Sequence, residues 1–375
     1  MEKKRKEAIK MKIKKIISGL LATIVMATAF VGCSNKNQNN YTSDSSSENS
    51  TSSTAAESSS ELSVESPTEL PTQNSPINIA VMKGPTGMGM VSLMSKAEAK
   101  ESLFEYNFTL ESTADAIVGK IAKGEIDAAA VPANLASVLY NKTNGGITVA
   151  AINTLGVLYV VESGDTIKSV ADLKGKTIYS TGKGTTPEFA LNYILTENGI
   201  DPTKDVTIEY KSEATEVAAI MGQDKSAIAV LPQPFVTISQ SKNPDLREAL
   251  SLSDEWDKLQ KDGNKSSMVT GVLIVRNEFL EENRELFKEV LNEYKDSVEF
   301  INNDVDAGAK LVAKYEIAPE PVAKKAIPKC NITFMVNDEM KEKLSGYLEV
   351  LFNQNPASVG GKLPNDDFYF SSEAK

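Results

Sequence analysis

The chain has 375 residues, 40 of them Lys or Arg and 51 Asp or Glu, for a formal net charge of −11, with two cysteines and no histidine. Without an imidazole there is no His general base, no Ser-His-Asp or Cys-His centre and no His-ligated metal. The acid excess argues against nucleic acid and anionic lipid headgroups as partners of the folded part.

The first 32 residues carry eight Lys or Arg against two Glu, followed by an uncharged apolar run, Ile16 to Gly32, that stops at Cys33. This is the plan of a bacterial export signal, and the run is shorter than a comfortable membrane span of roughly 20 residues. Phe30-Val31-Gly32-Cys33 resembles the lipobox of bacterial lipoproteins, with Phe30 where Leu is usual, which implies cleavage before Cys33 and lipid on its thiol. Removing a signal of +6 (8 minus 2) leaves −17 (−11 minus 6) on the mature chain. Residues 33–75 then read as the lipidated Cys and a disordered tether, since Ser, Thr, Asn and Glu dominate and cannot bury enough surface to offset chain entropy. With Cys33 acylated, Cys330 has no intrachain partner.

From Pro76 onward, strand-like and helical runs alternate, which predicts an α/β fold with mixed, mostly parallel sheets and helices on both faces. Strands are expected at Ile77–Met82, Phe104–Leu110, Ala128–Val131, Ile147–Asn153, Val157–Val161, Thr177–Ser180, Val206–Tyr210, Ala227–Leu231 and Gly271–Val275. Beyond Val275 only helices are expected, at 283–302, 305–314, 319–325 and 338–353. Thr186-Pro187-Glu188 has the chemistry of a helix start, with Gly199 as the stop. Asp127-Ala-Ala-Ala-Val-Pro132-Ala-Asn134 is echoed by Ser226-Ala-Ile-Ala-Val-Leu-Pro232-Gln-Pro234, each a small-residue strand running into proline, as two similar lobes would have.

Ligands of doubly wound sheets lie beyond the carboxyl ends of strands, where helix N–H groups converge. Four strand-to-helix junctions carry small, polar or Gly/Pro-rich sequence: Lys83 to Gly89, Val131 to Asn134, Thr181 to Pro187 and Leu231 to Phe235. Two fall in each presumptive lobe, so each lobe contributes one wall of a cleft. The candidate binding residues are Thr86, Gly87, Met88, Asn134, Thr181, Gly184, Thr185, Thr186, Gln233 and Phe235, offering close backbone approach, hydroxyls, amides and apolar walls. Neither glycine-rich junction has the spacing of a nucleotide phosphate loop. Acidic clusters such as Asp254/Glu255/Asp257 read as solvated faces, so no acid/base pair and no enzyme activity is expected.

Val157-Leu-Tyr-Val-Val161, Ser169-Val-Ala-Asp172-Leu-Lys-Gly175-Lys-Thr-Ile178, Thr181-Gly-Lys-Gly-Thr-Thr-Pro187 and Gly124-Glu-Ile-Asp127-Ala-Ala-Ala-Val131 together carry a family resemblance. Residues 76 to 365 resemble solute-binding proteins of ABC importers in the nitrate/sulfonate/taurine and thiamine-pyrimidine group, which have the two-lobed periplasmic-binding-protein type II (cluster II) fold. The resemblance implies lobe 1 from 76–156 and 272–375, lobe 2 from 157–271, and crossovers near Gly156 and Gly271. It adds the Asn153-Thr154 corner to the site, and implies hinge closure on a ligand, an ABC permease as partner, no cofactor and no metal. The expected setting is the extracytoplasmic face of a cell membrane, with a Gram-positive surface favoured by the Lys-rich signal and Ser-rich tether, and a monomeric folded part. Helix N-termini, hydroxyls and nearby Lys83 or Lys183 suit an oxyanion, carboxylate or sulfonate; Met88, Phe235 and Tyr159 suit a flat heteroaromatic. The balance leans to an organic ligand with a polar or anionic group. The competing readings are a sensory or adhesive surface protein and, less favoured, an enzyme on the same fold.

Overall fold

The computed structural model describes residues 71–260 and 266–371. The expected export signal, Cys33 and nearly all of the tether lie outside the described residues.

Among the described residues eleven strands form two sheets. They are β1 Ile77–Met82, β2 Tyr106–Glu111, β3 Ala128–Pro132, β4 Ile147–Leu155, β5 Leu158–Glu162, β6 Thr177–Ser180, β7 Thr207–Tyr210, β8 Ile228–Pro232, β9 Arg247–Ser251, β10 Val269–Arg276 and β11 Ile332–Met335. The first sheet has the order β11-β4-β10-β3-β1-β2 and the second β7-β6-β8-β5-β9. Leaving β11 aside, the two orders are the same pattern: β1, β2, β3 and β4 correspond to β6, β7, β8 and β9, and β10 corresponds to β5. The paired Ala/Val/Pro segments are therefore β3 and β8, each beside the strand that crosses from the other sheet.

The principal helices are α1 Pro85–Met88, α2 Val91–Ala99, α3 Ala114–Ala122, α4 Ala133–Lys142, α5 Thr186–Glu197, α6 Ala214–Gln223, α7 Phe235–Lys242, α8 Leu252–Leu259, α9 Asn277–Glu282, α10 Arg284–Asn303, α11 Val305–Lys314, α12 Glu320–Ala326 and α13 Asn337–Gln354. Strands sandwiched between helices read as continuous apolar runs: in Ala128–Val131 and Ile147–Thr154 every residue is buried. α5 starts one residue later than its N-cap, Thr185, with Pro187 and Glu188 in the first turn, and Gly199 at φ 74° follows its end.

Three expectations need correction. Parallel pairing does not dominate: of nine strand pairs, four are parallel (β1–β2, β1–β3, β6–β7, β6–β8) and five antiparallel. The crossing strands β10 and β5 arrive from the opposite sheet and therefore run against their neighbours. Arg247–Ser251 is a strand that composition hid, because an edge strand carries charge where a central one carries Val or Ile. Sheet structure does not stop near Val275 either: Ile332–Met335 adds a four-residue edge strand antiparallel to β4.

The core has three parts. One runs along a single face of both sheets, from Val131, Ile152 and Val272 through Leu158, Val160 and Ile178, beneath α4, α5, α8 and α13. The opposite face of the first sheet packs on α2, α10 and α11 through Val81, Met88, Phe287, Tyr294 and Val298. The opposite face of the second sheet packs Val161, Ala229 and Leu231 on Val217 and Met221 of α6 and Val236 of α7.

Candidate functional site

At the end of β1 the chain turns through Gly84 (φ 124°) into the single turn of α1. Gly87 lies directly on the strand end; a side chain there would collide with the Met82 carbonyl and sit 2.8 Å from Val81 Cγ1. The close seat brings Thr86 down onto β10. A Cβ added to Gly271 would lie 2.6 Å from both Thr86 Oγ1 and Asn153 Oδ1, so a glycine at this position lets a hydroxyl from the first loop and an amide from the end of β4 converge. Thr154 Oγ1 donates to Asn153 Oδ1 at 3.0 Å, and all three residues are buried.

Behind this group stands α10. Ser297 Oγ donates to the Gly89 carbonyl at 2.7 Å and accepts from the Leu93 N–H at 3.0 Å, pinning the junction of α1 and α2. The Tyr294 hydroxyl and the Asn153 amide are buried side by side, and neither the hydroxyl nor Asn153 Nδ2 has another hydrogen-bond partner among the described residues. Burial pushes the Tyr294 phenol well above its ordinary range, opposed by the Asn153 amide beside it, so it stays a neutral O–H at physiological pH. Neither Tyr294 nor Ser297 was among the sequence candidates. Both sit on the apolar stripe of α10 with Phe287, Val290, Leu291, Val298 and Ile301, and polar residues on such a stripe were the available signal.

The other candidates are distributed as follows. Met88 is fully buried in the core against the α2/α10 side. Asn134, half-buried at the start of α4, donates from Nδ2 to the Ser358 carbonyl at 3.3 Å. In the second sheet Thr181 is buried at the end of β6, and the following turn closes on itself: Thr185 donates both N–H (2.9 Å) and Oγ1 (2.6 Å) to the Gly182 carbonyl. Gly184 is exposed and its N–H meets Glu188 Oε2 at 2.5 Å. Thr186 Oγ1 accepts from the Tyr347 hydroxyl of α13 at 3.1 Å. Gln233 is buried; its Oε1 takes the Thr237 hydroxyl at 2.8 Å and its Nε2 faces Glu248 Oε1 at 3.4 Å. Phe235 is half-buried at the start of α7, against the core of the second sheet.

Thr86, Gly87, Asn153 and Thr154 are thus one cluster, and Gln233 leads to another that sequence reasoning missed. Glu248 Oε1 also receives Lys329 Nζ at 2.7 Å, and the Tyr159 hydroxyl donates to the Lys329 carbonyl at 3.0 Å. Burial, reinforced by Glu248, pushes the Tyr159 phenol up to about 12. Lys83 lies 3.9 Å from Glu316, and Lys183 stands 5.9 Å from the Tyr210 ring centroid. The arginines among the described residues are engaged elsewhere: Arg247 with Glu162, Arg276 with Asp127, Arg284 with the Ser371 carbonyl. What the Thr86 cluster can offer a ligand is neutral: hydroxyl, amide and backbone dipoles.

Residues 99–319 match the family described as ABC transporter, phosphonate, periplasmic substrate-binding protein, which is more than half of the chain. The chain belongs to this family. It is a substrate-binding component of an ABC transporter. Among solved structures, an ABC transporter protein from Parabacteroides distasonis is 23% identical with a TM-score of 0.66, over 80% of this chain and 99% of that one. The periplasmic aliphatic sulphonate binding protein SsuA from Escherichia coli is 17% identical with a TM-score of 0.61, over 80% of this chain and 94% of that one. The periplasmic nitrate-binding protein NrtA from Synechocystis PCC 6803 is 12% identical with a TM-score of 0.51, over 76% and 82%. These likenesses fix the type II periplasmic binding fold of this substrate-binding protein. No curated protein matches the chain in sequence. Among the described residues no helix is long and apolar enough to cross a membrane.

Proposed function

We propose that this substrate-binding protein captures a small organic molecule bearing a phosphonate- or sulfonate-like oxyanion, in a cleft between lobe 1 (76–156 and 272–375) and lobe 2 (157–271), and delivers it to its permease. The observation that carries the reading is the convergence of Thr86 and Asn153 over Gly271, beneath a glycine-rich loop at the ends of β1 and β4. A tetrahedral oxyanion is held well by several short donors without a formal cation, because in a shielded site each hydrogen bond to a charged acceptor is strengthened. The phosphonate description of the family, and the sulphonate and nitrate named for two structural relatives, support the same class. Because the arginines among the described residues are committed elsewhere, the site favours a singly charged group over a dianion. Thr181, Thr186, Gln233 and Phe235 supply the facing wall in this reading, with Met88 acting from behind as packing. Export, lipid on Cys33 and residence on the outer face of the cell membrane complete it, on the strength of the sequence before Ser34.

The test is thermal unfolding of the purified chain against methylphosphonate, ethanesulfonate, taurine, nitrate, amino acids and pyrimidines. A compound that binds only the folded state, at 100 times its dissociation constant, adds about 2.7 kcal/mol. Stabilisation by an organic oxyanion, lost in Thr86→Val, is the expected result; stabilisation by pyrimidines alone would replace the oxyanion by a stacked ring.

A further inference from the structure

The two sheets with their helices are joined differently on their two faces. On one face the core is continuous: Phe189 of α5 and Trp256 of α8 pack with Tyr347, Leu348 and Leu351 of α13, all buried. The Trp256 ring lies 4.5 Å from Tyr193 and 5.6 Å from Tyr347, centroid to centroid. Two hydrogen bonds follow the same seam, Tyr347 to Thr186 and Gln354 Nε2 to the Phe189 carbonyl at 2.9 Å. α13 follows β11 of the first sheet, yet it also packs on α5 of the second.

On the opposite face the apolar cores are separate, one around Phe287 and Tyr294, the other around Met221 and Val236. α12 lies against α7 there. The side-chain bonds that cross are polar: Lys329 to Glu248, with side chains 40% and 21% exposed, and Tyr159 to the Lys329 carbonyl. Parting the first face would return those five large side chains to water, whereas a partly exposed ion pair exchanges for water at little cost.

We infer that opening is one-sided: the seam of α13 with α5 and α8 stays shut as the hinge line, the cleft gapes on the α7/α12 face, and Lys329–Glu248 is the latch that holds it closed. The Thr186 turn, tied to Tyr347, is then a fixed wall. Gln233 and Phe235, at the head of α7, ride on the moving wall and meet the ligand as it is enclosed. The inference rests on the two-lobed reading and not on the ligand, so its test needs none.

The experiment measures distances between paired spin labels in the full chain carrying Cys33→Ser, Cys330 being buried. One pair, Ser241→Cys with Lys325→Cys, spans the α7/α12 face; the other, Glu197→Cys with Glu349→Cys, spans the seam, and all four positions are exposed. Lys329→Met and, separately, Glu248→Gln should shift the first distance to longer values and leave the second where it was. The double reversal Lys329→Glu with Glu248→Lys should bring the first distance back. A seam distance that lengthens together with the other overturns the hinge. A first distance unmoved in both single variants overturns the latch.

Discussion

Replacing Gly271 by Ala tests whether the Thr86–Asn153 convergence is built into the fold. The new methyl would stand 2.6 Å from Asn153 Oδ1, 2.6 Å from Thr86 Oγ1 and 2.7 Å from Thr86 Cγ2, where ordinary contact begins at 3.4 Å. About 0.8 Å of relief is needed on two sides (3.4 minus 2.6). Neither neighbour can swing into solvent, since Thr86 is 2% and Asn153 1% exposed. β10 is held on both sides by β3 and β4, so α1 must lift instead. Overpacking of this kind costs about 1–3 kcal/mol, or several degrees in the unfolding midpoint of a chain this size. Lifting α1 also separates Thr86 from Asn153, so binding of the stabilising oxyanion should weaken by more than tenfold. Calorimetric unfolding and titration of the same preparation read both effects. An unfolding midpoint and a dissociation constant both equal to wild type would refute the convergence.

The opposite effect is expected at Gly119, on the exposed side of α3 with nothing within 4 Å of an added Cβ: Gly119→Ala should stabilise by about 0.5–1 kcal/mol, and a loss of stability would mean that α3 ends earlier. Ser297→Ala leaves the Gly89 carbonyl and the Leu93 N–H unpaired in the interior, for a loss of about 1–3 kcal/mol by denaturant titration; a neutral result would show that water replaces the hydroxyl. Trp256→Ala should cost about 3–5 kcal/mol, and a loss below 1 kcal/mol would indicate a seam far looser than its full burial suggests. Burial holds the phenols of Tyr106, Tyr294, Tyr347 and Tyr159 protonated beyond the usual value of 10.0, Tyr159 to about 12. The unfolded chain releases those protons near pH 10, so stability is full below that pH and falls between pH 10 and 12. A thermal midpoint that stays level from pH 9 to 11.5 would contradict this.

What the sequence disclosed follows from where each segment lies. Strands inside the sheets, such as Ile77–Met82 and Thr177–Ser180, carry β-branched or apolar residues bounded by turn residues and are legible with their ends in place. β9 and β11 are sheet edges, one charged and one only four residues long, and nothing local distinguishes them from loop. Small residues at the end of β1 marked the Thr86 loop, where close backbone approach demands glycine at Gly87, whereas the Asn153-Thr154 corner came from the family resemblance and its packing on Gly271 only from the structure. Met88 read as a wall of the site, although in a one-turn helix the side chain two residues after Thr86 is carried round to the core. Tyr294 and Lys329 join the picture only through tertiary folding: Tyr294 lies beside Asn153 and Lys329 against Glu248, each more than 80 residues away in sequence, and no spacing rule links them. The span of α13 over both sheets was hidden for the same reason, since an apolar stripe records that a helix is covered and not by what.

The most direct test of the oxyanion assignment is isothermal titration of the purified chain with methylphosphonate and ethanesulfonate, in parallel with Thr86→Val and Asn153→Ala. Saturable one-to-one binding of at least one of them, weakened about tenfold or more by loss of the Thr86 hydroxyl, is the predicted result; one hydrogen bond to a charged acceptor, about 1.5–3 kcal/mol, sets that scale. Absence of binding by either compound, or binding indifferent to both substitutions, would contradict the assignment of this site to an organic oxyanion.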